Sequence, residues 1–377
     1  MKQLLILFLC LIPHLACAQT NKTYLLVGTY TDGRPDKGIF IYEFDPENGR
    51  LKKLSSTQQI TNPSFLTISP DGQYIYACTD TKMSGAGSVS AFRFDSSNAQ
   101  LTFLNKQNSG GENPVYLTCS PNNEYVINGN YTEGTVSVFP TNSDGSLNPA
   151  VQLIQFEGSS VNARRQDKAH IHATVFSNDY RYLFFPDLGT DKIRVYKFEP
   201  KQNQPLTAMA DMDVATVAGS GPRHLIFHPN NKFVYCTEEL SGTIAVFSYE
   251  NGKLDSIQRL FSYSKLQDEY NSADIHLSPD GLFLYASNRL DNENTISIFA
   301  VDQHNGHLTL LGHQYTYGDH PRSFTIDPTG NFLIVANLLS DNIVVFKRNI
   351  KTGLLKKTLT IKNVPRPACL KMRKYGT

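Results

Sequence analysis

One short turn recurs six times along the chain and constrains its fold more than any other feature. The copies are Ser69-Pro70-Asp71-Gly72, Ser120-Pro121-Asn122-Asn123, Ser177-Asn178-Asp179-Tyr180, His228-Pro229-Asn230-Asn231, Ser278-Pro279-Asp280-Gly281 and Asp327-Pro328-Thr329-Gly330. They begin 51, 57, 51, 50 and 49 residues apart. A period of this length marks a solenoid or a propeller of four-stranded blades. In Gly221 to Leu240, Leu225 to Phe227 suits a buried strand, Pro229-Asn230-Asn231 a tight turn, and Phe233 to Thr237 a returning strand. A third β-rich run follows each hairpin, as in Thr243 to Phe247 and Thr295 to Phe299. A glycine turn such as Asn251-Gly252 then leads into a short fourth strand. No helical periodicity separates these runs, so blades fit better than helical repeats.

The ends of the chain supply the remaining unit. Pro367 to Met372 reads as an innermost strand with nothing after it; Tyr24 to Thr29, Gly38 to Phe44 and Leu51 to Ser55 read as three outer strands with nothing before them. Pairing the two closes the ring and removes its open edges. The expected fold is all-β, a seven-bladed propeller, with residues 19–377 forming one domain. Without a linker or low-complexity tract, the 377 residues leave no room for a second domain. The formal charge of +1 and the lack of a basic run give no electrostatic reason to bind nucleic acid or an anionic membrane.

Residues 1–18 read as a targeting segment rather than structure: Lys2, the apolar run Leu4 to Ile12, and Ala16-Cys17-Ala18 before Gln19. The run is too short to span a membrane. The expectation is export to the periplasm or medium with cleavage. Lipid attachment at Cys17 is the alternative, although His14 stands where such a motif wants an aliphatic residue. Cys78, Cys119, Cys236 and Cys369 lie in strands of four different hairpins, which argues for small buried side chains rather than disulfides.

Aligning the repeats on the first turn residue exposes an asymmetry. Five positions earlier stand Ser64, Val115, His172, Arg223, Ala273 and Arg322; eleven later stand Asp80, Tyr131, Leu188, Glu239, Arg289 and Leu338. Hairpin geometry puts both sets at one mouth of the ring, and the charged types crowd between His172 and Arg322. Stability alone does not require this. His170 falls on the same strand face as His172, and Asp187 and Asp274 fall near the mouth, so all three join Arg322 as candidate substrate contacts. Arg223 and Arg289 could merely pair with Glu239; several cations for one carboxylate, though, suit a small anionic ligand. His224 should face away and pack between blades, and His228 and His276 read as structural. Two long loops, 157–168 with Arg164, Arg165 and Lys168, and 262–272, enter the same mouth. A metal site lacks a third ligand. No G-x-S-x-G elbow, Walker loop or dinucleotide fingerprint is present, so no cofactor is expected. Nothing in the sequence sets an oligomeric state.

At these residues the chain resembles the seven-bladed propeller lactonase family, which includes propeller-type 6-phosphogluconolactonases and is related to the fungal carboxymuconate lactonizing enzyme. The resemblance spans about residues 22–372. It is carried by His170-Ile171-His172 with Pro186-Asp187-Leu188-Gly189, Gly221-Pro222-Arg223-His224, Glu238-Glu239-Leu240, Ser287-Asn288-Arg289, and Pro321-Arg322 with Ile326 to Gly330. It implies a site of His172, Arg223, Glu239 and Arg289 acting on an anionic lactone or sugar acid. In that reading His172 takes a proton from water, and Glu239 orients a neighbour or shares that role. Arg223 and Arg289 hold the anion and the developing oxyanion. The chain departs from the family in Asp274, where glutamate is usual, and in its apparent export. Two alternatives remain open at this stage: a lactone-forming cycloisomerase, and a non-catalytic exported propeller that binds a glycan or protein.

Overall fold

The computed structural model describes residues 21–31, 38–58, 60–290 and 292–376. The targeting segment 1–18 and Cys17 lie outside these residues. Seven antiparallel sheets carry the chain, with a single short 3-10 turn at Ala210–Met212 as the helical content of the described residues. Blade 4 shows the plan from the axis outward: Pro222–Phe227, Phe233–Glu238, Thr243–Glu250 and Lys253–Phe261. Blades 1, 2, 5 and 6 repeat it, beginning at Phe65, Pro114, Ser272 and Pro321. Blade 3 has an inner strand of only two residues, Val175–Phe176, and gains an extra strand, Val214–Ala215. Blade 7 joins the termini as expected: Pro367–Tyr375 is innermost and pairs with Lys22–Thr29, which leads out to Phe40–Asp45 and Arg50–Ser56.

The recurrent turn has a common geometry. Its fourth residue lies in the left-handed region in every copy: Gly72 (φ 80°), Asn123 (54°), Tyr180 (56°), Asn231 (57°), Gly281 (70°) and Gly330 (75°). That residue's N–H donates back to the first residue's carbonyl, as in Asn231 to His228 at 2.9 Å. Glycine and asparagine tolerate this conformation; Tyr180 is the departure.

Blades adhere through apolar faces. Phe233, Tyr235 and Val246 of blade 4 pack on Ile275, Leu284 and Phe299 of blade 5, and burying one such phenylalanine contributes roughly 1.5–3 kcal/mol. The four cysteines among the described residues, Cys78, Cys119, Cys236 and Cys369, are buried and free. Four inner strands leave their neighbour's register near the mouth: irregularities fall between Pro114 and Tyr116, Pro222 and Leu225, Ser272 and Ile275, and Pro321 and Ser323. Such bulges break the two-residue alternation and re-aim side chains, which matters at the axis.

Candidate active site

The mouth that collects the strand starts holds a cavity of about 330 Å³. Its walls come from every blade. Register positions supply Val115, Tyr131, His172, Arg223, Glu239, Arg289, Arg322 and Leu338, and the 157–168 loop supplies Arg165. Ser64, Asp80, Leu188 and Ala273 share those registers but do not line it.

Glu239 is the hub, with its side chain 3 % exposed. Arg223 Nη1 donates to its Oε2 at 2.5 Å and Arg289 Nη2 donates to the same oxygen at 3.1 Å. Arg165 Nη2 donates to Oε1 at 2.6 Å. Burial alone would raise the Glu239 pKa; Arg223, Arg289 and Arg165 outweigh it and hold the carboxyl well below the usual range. Arg223 is fixed from behind by Nε donating to the Ala273 carbonyl at 3.0 Å. Burial, reinforced by Arg223, pushes the Arg289 guanidinium down to about 9, which leaves it charged at neutral pH.

His172 sits against the same cluster, its Nε2 3.9 Å from Glu239 Oε2. Arg223 Nη1 also donates to His172 Nε2. An imidazole nitrogen that accepts is unprotonated, so the ring is neutral with its proton on Nδ1; Nδ1 is buried without a partner. Burial and Arg223 drive the pKa well below 6.5. His320 completes the cluster: Arg289 Nη1 donates to its Nε2 at 3.1 Å, and burial with Arg289 lowers it to about 2.

The lining residues include five cations (Lys82, Arg165, Arg223, Arg289, Arg322) and one carboxylate (Glu239), a formal excess of 5 − 1 = +4. Lys82 and Arg322 lie over the Tyr30 ring, 4.5 and 5.5 Å from its centre. Neither pairs with a carboxylate among the described residues.

Three expected substrate contacts lie elsewhere. His170 is buried beneath the mouth, stacked on Tyr131 at 4.4 Å, with Nδ1 donating to the Tyr131 carbonyl at 2.8 Å. Alternation gave it the face of His172, yet Tyr131 stands between it and the cavity. Asp187 is fully buried and accepts from the His170 amide (2.8 Å), Thr190 Oγ1 (2.5 Å) and Arg194 (3.3 Å). It ties down the loop bearing the histidines. Asp274 accepts from His224 Nδ1 (2.9 Å), Ser323 Oγ (3.0 Å) and the Phe324 amide (3.2 Å), with His276 Nε2 at 3.3 Å. These join blades 4, 5 and 6 further down the axis. There Asp274 lines a second cavity of about 210 Å³ with Phe65, Tyr116, His224, His276 and Lys371.

His224 corrects a further expectation. It does not pack between blades but occupies the axis, 5.5 Å from the His172 ring and 5.2 Å from Tyr116, because the irregularity between Pro222 and Leu225 turns both Arg223 and His224 inward. Burial lowers it to about 4.

Sequence reasoning did not single out Tyr30, Lys82, Asn113, Asn271 or His320. A third register would have found three of them: Asn113, Asn271 and His320 each stand seven positions before the recurrent turn. Asn113 and His320 precede prolines and have φ of 58° and 61°, so the chain bends sharply at the rim there.

A closed β ring with a cationic mouth and a buried histidine–arginine–glutamate cluster defines a propeller enzyme suited to an anionic substrate. The chain belongs to the seven-bladed β-propeller lactonase family, whose model matches residues 24–372. It is 41% identical over 333 residues to a 6-phosphogluconolactonase of Formosa agariphila, covering 88% of this chain and 94% of that one. It is 33% identical over 349 residues to a 6-phosphogluconolactonase of Bacillus subtilis, covering 92% and 97%. The solved structure of a periplasmic gluconolactonase from Pseudomonas aeruginosa superposes with a TM-score of 0.87 at 36% identity, covering 93% of this chain and 99% of that one.

Proposed function

We propose that this protein hydrolyses a sugar lactone, in the manner of the 6-phosphogluconolactonases it is similar to. The observation that carries the reading is the convergence of His172, Arg223, Glu239 and Arg289, from three blades, into one hydrogen-bonded cluster at the mouth.

The lactone's carbonyl oxygen enters between Arg223 and Arg289, whose charges are already in place where negative charge develops. Engaging that oxygen draws Arg223 away from His172 and frees the Nε2 lone pair. Water then attacks the carbonyl carbon while His172 Nε2 accepts its proton. The ring C–O bond breaks as the tetrahedral intermediate collapses, and the proton passes from His172 to the departing ring oxygen. The product is the open hydroxy acid. A low basicity at His172 suffices because a lactone is an activated ester and oxyanion stabilisation supplies most of the assistance. Glu239 keeps the arginines apart and aimed. Every step of this scheme uses the chain's own groups.

We also propose that residues 1–18 are removed on export and that 19–377 act as one domain. Lys2, the Leu4 to Ile12 run and Ala16-Cys17-Ala18 support this, as does the likeness to a periplasmic gluconolactonase. No helix of the described residues is long and apolar enough to cross a membrane. The mass of the mature N-terminus distinguishes cleavage before Gln19 from lipid attachment at Cys17.

The activity test is opening of 6-phosphogluconolactone and unphosphorylated gluconolactone by purified protein in EDTA, corrected for spontaneous hydrolysis. Turnover well above His172→Ala is expected. Wild-type rates equal to that variant's would end the proposal.

A further inference from the structure

Of the three arginines on Glu239, Arg165 is held differently. Arg223 and Arg289 rise from the blade framework and share Oε2, and each is within 5 % of full burial. Arg165 reaches in from the 157–168 loop, is 32 % exposed, and is the one side chain on Oε1 among the described residues. Its second contact is a long one, 3.4 Å to the Tyr131 hydroxyl.

The loop that carries it has a firm base and an adaptable tip. Ser160 Oγ donates to Asp191 at 2.5 Å, the Ser160 amide to the Gln166 carbonyl at 3.0 Å, and the buried Gln166 Nε2 to the Leu188 carbonyl at 2.9 Å. At the tip, Arg164 reaches across to Glu269 of the facing 262–272 loop at 2.9 Å, with both side chains about 70 % exposed (71 and 69 %). Such an exposed pair contributes little. Two consecutive arginines therefore diverge from one fixed turn, one into the cavity and one over its rim.

Arg165 is thus the cation on Glu239 that moves at least cost. If it leaves, Arg223 and Arg289 still neutralise the carboxylate. The same cavity contains Lys82 and Arg322, which have no carboxylate partner among the described residues. An anionic group entering it would meet these two and compete with Glu239 for Arg165.

We propose that Arg165 is the specificity residue that reads the anionic substituent of the lactone, a phosphate or carboxylate remote from the ring carbonyl. On binding, its guanidinium transfers from Glu239 Oε1 to that anion, where its fork can engage two oxygens. The transfer leaves Oε1 free to accept a hydrogen bond from the attacking water. A neutral lactone has nothing to draw Arg165 away, so Glu239 stays masked. Selectivity thus enters both through binding and through the state of Glu239. This inference rests on the lactonase reading.

The experiment compares kcat/KM for 6-phosphogluconolactone with that for gluconolactone in wild type, Arg165→Ala, Arg165→Lys and Arg164→Ala. The wild type is expected to favour the phosphorylated lactone. Arg165→Ala should collapse that ratio tenfold or more, with a raised KM for the phosphorylated substrate, and Arg165→Lys should restore part of it. Arg164→Ala removes the same charge from the adjacent position and should keep the ratio within about twofold. A ratio unchanged in Arg165→Ala, or lowered equally by Arg164→Ala, overturns the proposal. Calorimetric titration with 6-phosphogluconate decides the same point without turnover. A Kd raised tenfold or more in Arg165→Ala alone supports it, and equal Kd values in both variants refute it. Failure of the wild type to open either lactone would remove the lactonase reading, while the titration would still judge Arg165.

Discussion

Replacing Glu239 with glutamine tests the central electrostatic claim. The substitution keeps volume and one acceptor but removes the only carboxylate in the cavity lining among the described residues, taking their formal excess from +4 to +5. Arg223 and Arg289, 3 and 5 % exposed, are then left without a counter-charge. Removing one partner of a buried ion pair typically costs about 3–5 kcal/mol. At roughly 2 °C per kcal/mol, the low end expected for a large domain, Tm should fall by about 6–10 °C. The assay is a thermal melt in low-anion buffer, repeated with inorganic phosphate. A ligand at 100 times its Kd adds about 2.7 kcal/mol, so phosphate should recover much of the loss in Glu239→Gln and do so at lower concentration than in wild type. Turnover should fall by about a hundredfold or more, since the arginines lose their alignment. A variant that melts within about 1 °C of wild type and ignores phosphate would show that Glu239 does not neutralise this cluster.

Stability should decline as pH falls below about 6.5. His172, His224 and His320 are held neutral in the fold by burial and neighbouring arginine charge, whereas in the unfolded chain they take up protons near their ordinary pKa. The unfolded state therefore binds more protons, and each histidine can contribute up to about 1.4 kcal/mol per pH unit. The His224 share is spent by about pH 4. Glu239 and Asp274, held below their ordinary values against the pull of burial by arginines and histidines respectively, add to the loss below about pH 4. Urea midpoints that stay level from pH 7.5 to 5 would contradict this. Asp274→Ala strands His224, Ser323 and the Phe324 amide. It should destabilise by about 3 kcal/mol while lowering activity per folded molecule far less than Arg223→Ala, a contrast that combined melts and kinetics will show. Tyr180→Gly relieves a left-handed tyrosine at φ 56° and should raise stability by about 1 kcal/mol, offset by the lost contact with Phe176 at 5.4 Å; a drop in the urea midpoint would go against it.

The repeat was legible because each blade must solve the same local problem. A hairpin of fixed length needs a turn whose fourth residue tolerates φ > 0, and that demand leaves Gly or Asn at 72, 123, 231, 281 and 330. Ring closure was legible too, since an inner strand at one end and three outer strands at the other have one economical pairing. Placing His172, Arg223, Glu239 and Arg289 together followed from counting along those hairpins, because strand length fixes which residues share an end.

Orientation and reach were decided in three dimensions. Asp187 and Asp274 fall near the mouth by count, but Asp187 collects donors from its own blade and the segment leading into it. Asp274 collects them from the neighbouring blades, and a carboxylate surrounded by donors becomes a fastener rather than a contact for substrate. His224 enters the axis because a bulge suspends the alternation that the sequence implies. Arg165 reaches Glu239 across 74 positions from a loop with no periodic pattern to betray its aim. The sequence by itself determined the ring, its turns and the end of each strand at which a side chain emerges, because these follow from local backbone geometry. Only the tertiary structure decided which of those side chains face one another across the axis, because that depends on bulges, loops and contacts between blades.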